Sequence, residues 1–245
     1  MTGKLFMGAA LLAAAVAALP AAAADTEAGS DQMVVINGTR SPEMQPYRYM
    51  LSGLDAFDSQ HALAPNAQQL RFRLHTKRKA PAGAMDNVVV RLSGNETDIA
   101  VPLAADHSFT LPRNRAAEDD NADVVLNQKK SYYGWMPDVR SAGVPADMRR
   151  LGDIRLECRV LMAIAKNYIP FLVRATINTI TLTTDWCSYK DFNMSVRSER
   201  VIAGATLVDG ARRLELKVDE DGKMYTVPLG DKSYSNDALI EFRFE

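Results

Sequence analysis

The residues that most often bind metals or act as nucleophiles are scarce here: 245 residues contain three histidines, His61, His75 and His107, and two cysteines, Cys158 and Cys187. No histidine lies in an HExxH pair or at metal-ligand spacing, which disfavours a zinc site. GxSxG elbows, SxxK, GxGxxG and phosphate-cradling glycine loops are also missing, so the common serine hydrolases, penicillin-binding enzymes and nucleotide-dependent enzymes have no sequence support. No cofactor is expected.

An excess of positive charge is missing too. Beyond the first 24 residues the chain has 28 Lys and Arg against 30 Asp and Glu, a net charge of −2. The cations are scattered, densest at residues 75–79, which is not the field that a phosphate backbone selects, so nucleic acid is not an expected partner. Long apolar runs are absent after the start. The exception is Leu11 to Leu19, preceded by Lys4 and followed by Pro20 and four alanines. Ala22 and Ala24 fit the A-x-A rule for cleavage before Asp25, so residues 1–24 read as a secretory signal peptide. The run is too short to span a membrane, and neither a lipid-accepting cysteine nor a twin-arginine pair accompanies it. The expected location is periplasmic or secreted, with no transmembrane segment in the mature chain. Residues 161–182 are interrupted by Lys166, Asn167, Pro170 and Arg174 and do not form one.

In an oxidising compartment an even pair of cysteines joins, and a Cys158–Cys187 disulfide is expected. Neither cysteine belongs to a CxxC motif, which argues against redox catalysis.

The remaining pattern is mainly period two. In residues 69–76, Leu70, Phe72 and Leu74 alternate with Arg71, Arg73 and His75, which predicts a strand with one buried and one wet face, leaving His75 at the surface. Similar alternation occurs at Val88, Val90 and Leu92; Ile99, Val101 and Leu103; Leu214, Leu216 and Val218; and Ile240, Phe242 and Phe244. Ser93-Gly94-Asn95 and Asp219-Glu220-Asp221-Gly222 supply hairpin turns. Residues 91–103 (RLSGNETDIAVPL) and 217–229 (KVDEDGKMYTVPL) align without a gap, an internal echo that raises two related β-modules. Pro102 and Pro228 place both strands at a sheet edge or end them there.

The expected fold is mostly β, an antiparallel β-sandwich or two related β-modules with minor helical segments. Its parts are an N-terminal extension with a short helix (25–66), a first β-module (67–112), an irregular disulfide-stapled segment (113–191) and a second β-module (192–245), the last three able to form one domain. In the extension, residues 33–36 read as a strand, Asn37-Gly38 as a turn, and Leu51, Leu54 and Phe57 as one face of a helix after Pro46. In the central segment Ile154, Leu156, Cys158 and Val160 alternate with Arg155, Glu157 and Arg159. That predicts a strand with Cys158 on its buried side, then a short helix in 161–168 and extended structure in 176–184.

Candidate contact residues for a ligand or partner are the aromatic loop Tyr132, Tyr133 and Trp135, whose rings can stack on sugars or anchor a protein, and Arg149 and Arg150 beside Asp153. Packing and local ion pairs are the plainer roles for both groups. The acids Glu118, Asp119, Asp120 and Asp123, and Asp219 with Asp221, read as solvated loop and turn residues. Together these features favour a non-enzymatic binding or envelope-structural protein whose partner is an envelope protein or a glycan. The alternative is an envelope hydrolase of carbohydrate or peptide bonds with an acid pair assembled from distant loops.

Overall fold

The computed structural model describes residues 41–245, so the leader, the expected strand at 33–36 and the Asn37-Gly38 turn lie outside the described residues. The chain runs β1 (Pro42–Pro46), α1 (Tyr47–Ser59), β2 (Arg71–Thr76), β3 (Val90–Ser93), β4 (Asp98–Val101), β5 (Ser108–Phe109), α2 (Arg115–Asp119), β6 (Asp123–Lys129), β7 (Tyr133–Asp138) and β8 (Met148–Arg150). It continues with α3 (Leu151–Ala165), α4 (Phe171–Thr181), β9 (Met194–Arg197), β10 (Ile202–Asp209), β11 (Arg212–Leu216), β12 (Met224–Val227) and β13 (Leu239–Phe244). The fold is mostly β, built from antiparallel sheets in the orders β1-β6-β3-β4, β5-β2-β7, β11-β10-β13-β8 and β12-β9, with a few short helices.

Turn chemistry sets the hairpins. Ser93 pairs with Asp98 across the expected turn, and the Asp120 carboxylate accepts from the backbone N–H groups of Asn95, Glu96 and Thr97, so one member of the acidic cluster fastens this loop. Asp219 Oδ1 likewise accepts from the amides of Lys223 and Met224 inside the second turn. Pro102 and Pro228 each stand immediately after the last residue of a strand, where no ladder donor is needed.

Two hydrophobic cores form. One gathers Tyr47, Met50 and Leu54 of α1, Phe72 and Leu74 of β2, Val90 and Leu92 of β3, and Val124 and Leu126 of β6. The other gathers Ile202, Ala205 and Leu207 of β10, Tyr225 and Val227 of β12, and Ile240 of β13. Helix α3 belongs to both: Leu156 and Val160 face the first core, while Leu151, Ile154 and Cys158 face the second. Where α3 crosses α1, a Cβ at Gly53 would lie 2.7 Å from Ile164 Cδ1, so glycine sets how closely the helices approach.

Two expectations for the central segment are corrected here. Residues 154–160 are helix and not strand, because Ile154, Leu156, Cys158 and Val160 are all fully buried, and a helix buried on two sides imitates period-two alternation. Residues 176–181 are the second half of helix α4 and not extended, despite their threonines and isoleucines. Their hydroxyls bond back to carbonyls four residues earlier, from Thr176 to Leu172 at 3.0 Å and from Thr179 to Ala175 at 2.9 Å, which lets β-branched residues close a helical turn. The disulfide joins Cys158 of α3 to Cys187 just beyond α4, with Cα atoms 6.0 Å apart and both residues buried. No helix among the described residues is long and apolar enough to cross a membrane.

Replacing both cysteines with alanine should lower the unfolding free energy by roughly 3–4 kcal/mol through the lost loop constraint. Urea denaturation of the double variant beside the oxidised parent measures this directly.

Candidate functional site

Strand β2 turns Phe72 and Leu74 into the first core, and its other face carries Arg71, Arg73 and His75. Two arginines on one strand face require anions opposite, and the fold supplies them from distant segments. Asp138, at the end of β7, accepts from Arg71 at 2.6 Å, Arg73 at 2.9 Å and Arg140 Nε at 2.8 Å. Asp106 pairs with Arg73 at 3.0 Å, and Glu199 pairs with Arg73 at 3.5 Å and also with Arg140. Burial alone would raise the Asp138 carboxyl, but Arg140 and Arg73 outweigh it and hold its pKa down at about 2.

A second layer lies beneath, around the start of α3. Asp153 and Glu157, one helical turn apart, are both buried. Asp153 accepts from Ser141 N at 2.9 Å and Ser141 Oγ at 2.6 Å, while Glu157 accepts from Val139 N and Arg149 Nη2, each at 2.7 Å. Arg150 reaches Asp237 at 2.7 Å, the Leu63 carbonyl at 2.6 Å and Asp153 at 3.5 Å. Burial pushes the Glu157 carboxyl up, against the pull of Arg149. Burial also opposes the Arg149 charge, yet Glu157, Tyr225, Asp138 and Asp153 together keep its pKa above the ordinary arginine value.

Two adjoining clefts open onto these layers. One, of about 330 Å³, is lined by Arg73, His75, Asp138, Glu157, Met194 and Arg197 among others. The other, of about 260 Å³, is bounded by Arg140, Arg149, Arg197 and Arg200, with the acids Asp147 and Glu199, around an aromatic wall of Tyr225, Phe242 and Phe244. In this second cleft Tyr225 Oη and Arg149 Nε are buried polar atoms without a hydrogen-bond partner among the described residues. Burial first, then Glu157 and Glu199, raise the Tyr225 phenol to about 12, although Arg149 and Arg140 pull it down. Arg200 lies over the Phe244 ring at 3.8 Å. Among the described residues no acid pairs with Arg197.

The structure places the residues singled out from sequence as follows. Tyr133 is 1% exposed and donates its hydroxyl to the Ala84 carbonyl inside the first core. Trp135 packs edge-on to Phe109 at 5.6 Å, and Tyr132 is half-buried with Lys129 Nζ 5.5 Å from its ring centre. Arg149 lines both clefts, and Arg150 is buried in the ion-pair layer. Cys158 and Cys187 form the disulfide. His75, expected at the surface, is instead partly buried: its ring packs over Gly134, where a Cβ would lie 2.5 Å from the imidazole, and Met194 and Val196 of β9 line the same cleft. Burial, then Arg197 and Lys77, lower its pKa to about 4.

Sequence reasoning missed Asp138, Arg140, Arg197, Glu199 and Tyr225. The one available signal was the run of cations on the β2 face, which needs counter-charges once another strand covers it. Among the described residues, no group of three or more His, Cys, Asp or Glu side chains could hold a metal ion. Set against known proteins, the chain matches no family model, no curated protein and no solved structure.

Asp153→Ala should cost about 2–5 kcal/mol by leaving the buried Ser141 N–H and Oγ donors without an acceptor, whereas Asp237→Ala, at an exposed site, should cost less, about 1 kcal/mol. Chemical denaturation of the two variants tests the contrast. His75 gives a pH signature. Its folded pKa of about 4 lies below the ordinary 6.5, so the unfolded chain binds the proton first and stability falls as pH drops through that interval. The contribution is complete above the upper value, amounts to roughly 1–2 kcal/mol after screening, and should vanish from the pH profile of His75→Gln, read from urea midpoints.

Proposed function

We propose that this chain is a secreted or periplasmic binding protein whose aromatic-walled cleft takes an anionic, carboxylate-bearing ligand with an apolar body. The observation that carries the reading is the pair of buried donors, Tyr225 Oη and Arg149 Nε, left without acceptors beside the unpaired Arg197. A buried donor with no acceptor costs about 1–3 kcal/mol, and a carboxylate is the kind of acceptor that both donors lack. Phe242 and Phe244 would cover the apolar part of the ligand. The signal-like leader and the buried disulfide support placement outside the cytoplasm. A peptide of an envelope protein ending in a free carboxylate, or an acidic glycan, presents the required group.

One observation favours a hydrolase as the second reading. Burial raises Glu157 while arginines hold Asp138 low, and both line the larger cleft. Both carboxylates are nonetheless engaged, Asp138 by Arg71, Arg73 and Arg140 and Glu157 by Arg149 and the Val139 amide, which leaves the binding reading ahead.

Calorimetry with phenylacetate, phenethyl alcohol and phenethylamine tests the proposal. Phenylacetate should bind, with the alcohol and the amine at least tenfold weaker. Tyr225→Phe and Arg197→Gln should each weaken phenylacetate by roughly five- to tenfold while leaving the unfolding midpoint in place. Equal binding of all three compounds would remove the basis for an anion site.

A further inference from the structure

Helix α4 is inside out. Leu172 is 77% exposed and Ile180 75% exposed, with Phe171 and Val173 also facing water, while Arg174, Ala175, Ile177, Asn178 and Thr181 occupy its more sheltered side. Asn178 Oδ1 accepts from the Trp186 indole at 2.8 Å, which ties the sheltered side of the helix to the protein. On the outer side Thr176 and Thr179 turn their hydroxyls back onto the helix's own carbonyls, which leaves their methyl groups outward. Leu182, just past the helix end, is 89% exposed. The Cys158–Cys187 bridge fastens the end of this segment to α3, so it joins the scaffold covalently beside its outward apolar face.

From this arrangement we infer that α4 docks the protein onto the surface of an anionic phospholipid bilayer, lying in the interface with its apolar side down. Charge complementarity selects that occupant. Residues 166–191 hold Lys166, Arg174 and Lys190 against Asp185, which pairs with Arg159, and Asp191. At the C-terminal end of α4, Ile180 and Leu182 line a cleft of about 470 Å³ together with Asp185 and the exposed Lys190 and Lys232, cations able to meet headgroup phosphates. Size argues against a second copy of the chain. An 11-residue helix is roughly 16 Å long and presents a strip about 10 Å wide, far below the roughly 800 Å² per partner of a stable protein interface, whereas a bilayer needs no matching shape.

The test is co-sedimentation of the disulfide-bonded protein with vesicles of phosphatidylcholine containing roughly one-quarter phosphatidylglycerol, beside vesicles of phosphatidylcholine alone. Binding to the mixed vesicles is expected, several-fold weaker on the neutral ones and reduced by high salt. Leu172→Gln with Ile180→Gln should weaken mixed-vesicle binding at least tenfold, and Lys190→Gln with Lys232→Gln should remove the preference for the anionic lipid, all four sites being exposed. Failure to bind the mixed vesicles, or binding that the Leu172 and Ile180 changes leave untouched, would overturn the inference. So would a concentration-dependent dimer, without vesicles, that those same changes dissociate.

Discussion

The architecture depends on how α3 is anchored. Its side chains serve two hydrophobic cores, and the same helix carries two buried carboxylates, Asp153 and Glu157, that grip the backbone at Ser141 and Val139. Buried charge is tolerated only where hydrogen bonds and opposite charge surround it, and here Arg149 and Arg150, immediately before the helix, supply both. Remove that layer and the strand segment leaving β7 loses its attachment, and with it the support under Asp138.

Buried carboxylates also explain why the arginines of this protein are not interchangeable surface charges. Arg71, Arg73 and Arg140 converge on one buried carboxylate, Asp138, and share Asp106 and Glu199 at the cleft edge. That set is close to self-compensating. Arg197, which pairs with no acid among the described residues, and Arg149, whose Nε has no partner, line the aromatic-walled cleft together with Asp147 and Glu199. Among the described residues, Arg73 Nε within the Asp138 set, and Arg149 Nε and Tyr225 Oη beside the aromatic wall, are buried polar atoms without a partner.

Much of the β-framework was legible from local pattern. Alternation in residues 69–76 and 239–244 reflects strands with one apolar face, and Ser93-Gly94-Asn95 and Asp219 to Gly222 turn because short polar residues and glycine stabilise tight loops locally. The helix at Leu51, Leu54 and Phe57 was visible for the same reason, since one of its sides meets solvent. Little of the candidate site was legible. Arg73 and Asp138 are 65 residues apart, Arg150 and Asp237 are 87 apart, and no local rule pairs them. Both hairpins of the internal echo form as expected, yet they enter different sheets, because neighbours and not turn sequence decide strand partners.

Sequence alone therefore determined what short-range chemistry controls: the periods of the strands, the sites of the turns, the pairing of two lone cysteines and the absence of a long apolar helix in the segment around Pro170. Tertiary structure decided whether residues 154–160 were strand or helix, because burial on two sides erases the periodic contrast that separates the two. It also decided that the charged face of β2 meets counter-ions and not water, and that the apolar side of α4 faces outward. Both outcomes depend on what packs above a surface, and that is a property of the assembled cores and not of any stretch of chain.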